Sequence, residues 1–222
     1  MFGAVLFDCD GVLVDSEILA VEVETAMLAG HGLRYDAAEF KFRFMGMSDT
    51  AFYAELNSDS LAVLGRPLPE NFQADCTARL YQAVAERLVE VEGARRAIER
   101  LDLPKAVASS SARRELAIKL RKAGLWELFA PHIYSADHVT RAKPAPDLFL
   151  HAAAALGVSP AQCLVLEDSV NGVRAARAAG MRVWGFAGGG HMDDAGCARL
   201  VDAGAERLVF NWPEASSLLS NF

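Results

Sequence analysis

The sequence predicts an α/β fold, a doubly wound parallel-sheet, Rossmann-like core with an α-helical domain inserted into it. Three observations carry that prediction. Apolar runs of strand length recur along the chain, and amphipathic stretches that stop at glycine separate them. One interval between consecutive runs is also far too long for a single crossover.

The first run, residues 4–7, is apolar at every position and ends at Asp8-Cys9-Asp10-Gly11. A strand buried on both faces of a parallel sheet reads this way. Similar runs follow at 105–109, 132–135, 163–166, 182–186 and 207–210. Between them, helical stretches at 112–123, 146–156 and 170–179 end at Gly124, Gly157 and Gly180, each a natural helix stop. The interval from Asp8 to Lys105 breaks this rhythm. It holds helical patterns at 16–30, 49–56 and 71–88 and a capping box at Asp36-x-x-Glu39. A crossover needs only about a dozen residues, so the excess reads as an inserted domain. The boundaries expected are 1–14 and 90–222 for the discontinuous core and 15–89 for the insertion, with hinges near Asp15 and 90–93.

The 222 residues carry 22 Lys+Arg against 29 Asp+Glu, a formal charge of −7. No basic block interrupts that balance, so neither a nucleic acid nor an anionic membrane is an expected partner. No apolar run approaches the roughly 20 residues of a membrane span. No basic stretch followed by an apolar one opens the chain, and Cys9, Cys76, Cys163 and Cys197 lie far apart with no CxxC pair. Reduced thiols in a cytoplasmic protein, a monomer or weak homodimer, are the expectation.

The polar residues collect at strand ends. Asp8 and Asp10 follow the first strand, Ser109-Ser110-Ser111 the second, Lys143 the third and Glu167-Asp168 the fourth. In an open parallel sheet, ligands bind outside the carboxyl ends of the strands. Clustered carboxylates repel one another unless a cation lies among them, and hard oxygen donors favour Mg²⁺. Ser109, Lys143 and the free N–H groups of the helix beginning near 112 would cradle a phosphate. A carboxylate facing that phosphate could attack phosphorus.

Residues 8–17, Asp8-Cys9-Asp10-Gly11-Val12-Leu13-Val14-Asp15-Ser16-Glu17, resemble motif I (DxDGxLxDSE) of the haloacid dehalogenase superfamily of phosphatases and phosphomutases. Ser109 resembles its motif II, Lys143-Pro144-Ala145-Pro146 its motif III and Leu166-Glu167-Asp168-Ser169-x-x-Gly172 its motif IV. The inserted helices resemble the small helical cap of the subfamily that includes β-phosphoglucomutase-like proteins and sugar-phosphate phosphatases, among them 6-phosphogluconate-type phosphatases. The resemblance implies Asp8 as nucleophile and Mg²⁺ ligand. It implies Asp10 as general acid and then base, with its backbone carbonyl on the metal. Asp168 would complete the metal shell, with Glu167 as a ligand or its partner. Ser109 would bind the transferring phosphoryl group, aided by the backbone N–H groups of Cys9 and Ser110 with Ser111 beside them, and Lys143 would neutralise charge. Mg²⁺ and Lys143 would lower the pKa of Asp8 while Asp10 titrates closer to neutrality.

The implied function is a Mg²⁺-dependent phosphatase acting on a small phosphorylated metabolite, a sugar phosphate or sugar-acid phosphate. The cap would select the leaving group, with Gly46, Ser48 and Asp49, and Met45 and Met47 beside them, nearest to it. A phosphomutase is the alternative. Asp49, however, stands where β-phosphoglucomutases carry an arginine, and residues 17–22 contain no histidine. A dehalogenase would lack the acid at position 10. A phosphate-binding regulator without turnover is a further alternative, although every matched motif position carries a reactive residue. Gly188-Gly189-Gly190 reads as a flexible rim loop, and His191, Asp193 and Asp194 as solvated. His132 and His151 read as structural, and Phe40, Phe42, Phe44, Phe52 and Tyr53 as an aromatic stripe in the core and interface of the insertion.

Overall fold

The computed structural model describes residues 2–44, 47 and 49–220, with Asp49 described in its backbone only. One six-stranded sheet contains β1 (Ala4–Phe7), β2 (Lys105–Ser109), β3 (Ile133–Ser135), β4 (Cys163–Glu167), β5 (Arg182–Phe186) and β6 (Arg207–Val209). The spatial order is β3-β2-β1-β4-β5-β6, and every pairing is parallel. Leaving β1, the chain builds outward on one side through β2 and β3, then returns to lay β4 on the other. That reversal makes the carboxyl end of β1 the switch point of the sheet.

The strands are buried on both faces, as their unbroken apolar sequence requires. Ala4 and Leu6 face a cluster that includes Phe149 and Ala152 of α8 (Asp147–Leu156) and Val173 and Ala176 of α9 (Val170–Ala178). Phe7 points the other way. Its ring centroid lies 5.8 Å from that of Phe129 in α7 (Trp126–Phe129) and 5.7 Å from that of Trp212 in α11 (Trp212–Leu219). Trp212 is fully buried, and its Nε1 donates to the carbonyl of Val12 at 3.0 Å. The loop that follows β1 is thereby tied to the last helix. The core is completed by α5 (Ala94–Glu99), α6 (Arg113–Lys122) and α10 (Asp194–Asp202).

Four helices occupy the interval between β1 and β2: α1 (Ser16–Gly30), α2 (Ala37–Phe44), α3 (Asp49–Leu64) and α4 (Phe72–Arg87). The chain divides into two compact units, residues 1–16 with 88–222 and residues 17–87. At the boundary the two connecting segments are bridged, with Asp15 N–H donating to Val89 at 3.2 Å and Val91 N–H to Leu13 at 3.0 Å. The helical unit has its own core, including Leu28, Phe40, Phe44, Phe52, Leu56 and Phe72. Among the described residues no helix is long and apolar enough to cross a membrane.

Three details depart from the expectations. Phe42 is not part of the aromatic core: it is 77% exposed, whereas Phe40 and Phe44 are buried with ring centroids 4.8 Å apart. Residues four apart share a helix face and residues two apart do not. Second, α3 continues past residue 56 through Asn57-Ser58-Asp59-Ser60, a polar stretch that reads as a helix end. Asn57 accepts from Leu68 N–H at 3.0 Å, Ser60 donates to the carbonyl of Arg66 at 2.8 Å, and Arg43 and Tyr35 hold Asp59. The side chains of Asn57, Asp59 and Ser60 are thus engaged elsewhere and do not compete for the helix backbone. Third, the sequence reading did not identify α10 and α11, although each has a standard N-cap. Asp193 accepts from Gly196 N–H at 2.7 Å, and Asn211 accepts from Glu214 N–H at 2.8 Å.

Candidate active site

The switch point gathers side chains from four strand ends. Asp8 follows β1 and is still anchored to the sheet, its N–H donating to Leu166 at 3.0 Å. The chain then turns sharply. Cys9 carbonyl accepts from Leu13 and Val14 at 2.9 and 3.0 Å, and Gly11 takes a left-handed φ of 72°. A Cβ on Gly11 would lie 1.9 Å from Asp168 Oδ2, so only glycine lets this turn approach the β4 end so closely.

On one side of that turn, Lys143 Nζ bridges Asp8 Oδ1 and Glu167 Oε1, at 2.6 Å from each. The lysine and glutamate side chains are 3% and 1% exposed. Glu167 Oε2 accepts from the N–H and hydroxyl of Ser169 at 2.8 and 3.0 Å. That hydroxyl in turn caps α9 by accepting from Gly172 N–H at 3.0 Å. Asp168 pairs with His191 Nε2 at 3.0 Å. Burial pushes the carboxyl of Asp8 well above the usual carboxylate range. Lys143 opposes that, while Glu167, Asp168 and Asp10 add to it. Burial works against the Lys143 charge, but Asp8 and Glu167 outweigh it and hold its pKa above the ordinary value. One carboxylate oxygen from each of Asp8, Glu167 and Asp168 lies within 4.8 Å of the others. This all-oxygen, acidic donor set could hold a metal ion, and its chemistry fits a hard divalent cation such as Mg²⁺.

Asp10 belongs to a second, separate network. Its Oδ1 accepts from the Ser16 hydroxyl and from Lys119 Nζ, the latter at 2.8 Å, and its Oδ2 accepts from the Ser111 hydroxyl at 2.9 Å. Burial would raise the Asp10 pKa. Lys119 and the three hydrogen bonds outweigh burial and hold the carboxyl below its usual range. Among the protein's own groups, then, Asp8 is pushed up and Asp10 held down; the expected ordering, with Asp10 nearer neutrality, is that of the site with Mg²⁺ bound beside Asp8. At Asp8 burial and the nearby acids Glu167, Asp168 and Asp10 outweigh Lys143, whereas at Asp10 Lys119, itself shared with Glu115, and the Ser16 and Ser111 hydroxyls outweigh burial.

Ser109 is 1% exposed and accepts from Ser111 N–H at 3.1 Å, while Ser110 is exposed beside them. Cys9 is buried, so it presents only backbone to a ligand. Of the helical-unit residues expected near substrate, Met45, Gly46, Ser48 and the Asp49 side chain lie outside the described residues, and Met47 is exposed. The sequence reading missed two residues. His191 was expected in solvent but is 8% exposed against Asp168; Gly11 and Gly189 admit it, since a Cβ on either would approach its ring within 3 Å. Asp193 and Asp194 are exposed, as expected of them. Lys119 reads as one charge on an amphipathic helix. Its i,i+4 spacing from Glu115 was the available signal, and the two pair at 2.6 Å.

The chain is similar to known proteins. Residues 2–180 match the family model described as haloacid dehalogenase-like hydrolase. The chain is 33% identical over 217 residues to the phosphorylated carbohydrates phosphatase of Thermotoga maritima, with 93% of each chain covered. It is 29% identical over 188 residues to the 6-phosphogluconate phosphatase of Escherichia coli, covering 85% of this chain and 84% of that one. A crystal structure of a haloacid dehalogenase family hydrolase from Deinococcus radiodurans, with bound phosphate and sodium, superposes with a TM-score of 0.88. The sequences are 38% identical, over 99% of this chain and 96% of that one. With the four strand-end motifs on a common rim and the family model spanning most of the length, the chain belongs to the haloacid dehalogenase-like hydrolases.

Proposed function

We propose that the protein is a Mg²⁺-dependent phosphatase that hydrolyses a small phosphorylated metabolite, a sugar phosphate or sugar-acid phosphate, through an aspartyl-phosphate on Asp8. One observation carries the reading. Two carboxylates two residues apart sit in different networks, Asp8 with Lys143 and the metal-binding acids, Asp10 with Lys119, Ser16 and Ser111. Asp8, Glu167 and Asp168, with the backbone carbonyl of Asp10, would hold Mg²⁺, which when bound neutralises charge on the phosphoryl oxygens.

The chain's own groups account for the remaining chemistry. Lys143 favours the ionised form of Asp8 against burial and offsets the charge of the incoming phosphate. Ser109 accepts from Ser111 N–H, which orients the hydroxyl, and its O–H would donate to a phosphoryl oxygen. The backbone N–H groups of Cys9 and Ser110 would join it. An oxygen of Asp8 attacks phosphorus, the ester P–O bond breaks, and a proton on Asp10 passes to the departing alkoxide. In the second half, Asp10 takes a proton from water as the water oxygen attacks phosphorus. The acyl-phosphate bond then breaks, and inorganic phosphate leaves with Asp8 restored. The hydrogen bonds to Asp10 favour its ionised form and suit it to this second half. For the first half it must carry a proton.

Residues 15–89 would form the cap that chooses the leaving group, with Gly46, Ser48 and Asp49 contributing contacts. The relatives' activities on phosphorylated carbohydrates and 6-phosphogluconate support the substrate class, and a cytoplasmic monomer or weak homodimer is the matching context. The test is phosphate release with Mg²⁺ from phosphorylated sugars, sugar acids, polyols and nucleotides, compared with Asp8→Asn. Turnover of one group, lost in the variant and on chelation, is expected. Isomerisation of glucose 1-phosphate without phosphate release would overturn hydrolysis in favour of a mutase. No reaction with any member would overturn the enzyme assignment.

A further inference from the structure

Lys119 lies outside all four family motifs, yet it is among the most deeply buried charges in the protein, its side chain 7% exposed. It projects from the second turn of α6 toward the β1 loop and makes three contacts. These are Asp10 Oδ1 at 2.8 Å, Glu115 Oε1 at 2.6 Å and the Ser111 hydroxyl at 3.1 Å. Glu115 is one turn earlier on the same helix, so it fixes the ammonium from behind, and the ammonium fixes the carboxylate in front. Desolvating a lysine costs several kcal/mol unless its protons are all engaged. Here three donors meet three acceptors.

We propose that Lys119 is the positioning residue for Asp10, locking the carboxylate rotamer so that Oδ2 is the oxygen that exchanges protons with leaving group and water. The assignment of Oδ2 follows from counting donors. Oδ1 accepts from both Ser16 and Lys119 and has no lone pair to spare. Among the described residues Oδ2 accepts only from Ser111, whose hydroxyl is itself oriented by Lys119. A single ammonium thus fills the inner oxygen and aims the donor on the outer one. Without it, rotation of the carboxylate would interchange the two oxygens, and the proton would no longer be presented along one direction. The proposal rests on the phosphatase reading above.

The test separates positioning from general damage by leaving group. An alkyl phosphate needs its leaving oxygen protonated, whereas p-nitrophenyl phosphate expels a stable phenolate and does not. Single-turnover release of alcohol or phenol is measured for wild type and Lys119→Met with each ester, alongside binding of inorganic phosphate. General acid help is worth about 10²–10⁴-fold. Partial loss of its aim should therefore slow alkyl release by about 10–100-fold while phenol release and phosphate binding stay within about 3-fold. Equal slowing of both esters, or slowing of neither, overturns the positioning role. If Lys119→Met fails to fold, the double variant Glu115→Gln/Lys119→Met removes the stranded charge and is read the same way. A wild-type enzyme that cleaves neither ester overturns the phosphatase reading itself, and the role assigned to Lys119 falls with it.

Discussion

Replacing Gly172 by alanine sets two effects of opposite sign against each other. Gly172 lies in the first turn of α9, and by helix propensity alone alanine would stabilise the protein by at most about 1 kcal/mol. Yet an added Cβ would lie 1.7 Å from Glu167 Oε1 and 1.9 Å from its Cδ. The carboxylate has no free direction of retreat. It is 1% exposed, its Oε1 is 2.6 Å from Lys143, and its Oε2 accepts from Ser169 N–H at 2.8 Å. Relief requires Glu167 to leave Lys143 or α9 to lift from β4. Breaking a buried ion pair costs about 3–5 kcal/mol. The lower end applies because Lys143 would keep Asp8 at 2.6 Å. The expected net loss is about 2 kcal/mol, or a Tm lower by about 4–8 °C for a chain of this length. All three tryptophans, Trp126, Trp184 and Trp212, lie in the unit formed by residues 1–16 and 88–222. Urea unfolding followed by their fluorescence therefore reports the unit that carries the substitution, without assuming that both units melt together. Stability equal to or above wild type would refute the reasoning, because it would mean that Glu167 swings away at no cost.

Asp10→Asn should lower kcat by about 10²–10⁴-fold through slower formation and decay of the phosphoenzyme; pre-steady-state traces that match wild type would remove its acid–base role. His191→Ala should weaken Mg²⁺ binding by about 10–100-fold, since it frees the Asp168 carboxylate to rotate. Titration calorimetry giving an unchanged affinity would dismiss that orienting function. In the helical unit, hydrogen bonds from Arg43 and Tyr35 hold the carboxyl of Asp59 below the usual range. A carboxyl depressed on folding adds stability above its unfolded pKa of about 3.9 and loses it as pH falls through the folded value. Wild type should therefore exceed Asp59→Asn in circular-dichroism melts at neutral pH, and the gap should close as pH falls below the unfolded pKa and through the folded one; a gap independent of pH would contradict the assignment.

The sheet was legible because its strands are buried on both faces, and that burial leaves an unbroken apolar run for any local reading to find. The helical insertion was legible from length, since a single crossover needs far fewer residues than lie between Asp8 and Lys105. The ends were harder. The polar stretch in α3 reads as a terminus because its side chains compete for backbone in isolation, and only their partners on Leu68, Arg66, Arg43 and Tyr35 remove that competition. Phe42 was miscounted into the aromatic core because a stripe at spacing two was read where the helical spacing is four.

By itself, the sequence determined the α/β alternation, the four strand-end motifs and which residues are proposed to react. Each of these is written in residues adjacent along the chain. Tertiary structure alone decided how those groups differ from one another. Asp8 and Asp10 are chemically identical and two residues apart, yet burial among Glu167 and Asp168 raises the pKa of Asp8 despite Lys143, 135 positions away, while Lys119 on α6 and two hydroxyls lower that of Asp10. Likewise, His191 reaches Asp168 only because glycines at 11 and 189 leave room for its ring. Electrostatic energy depends on distance and burial, and neither exists until the sheet brings its strand ends together.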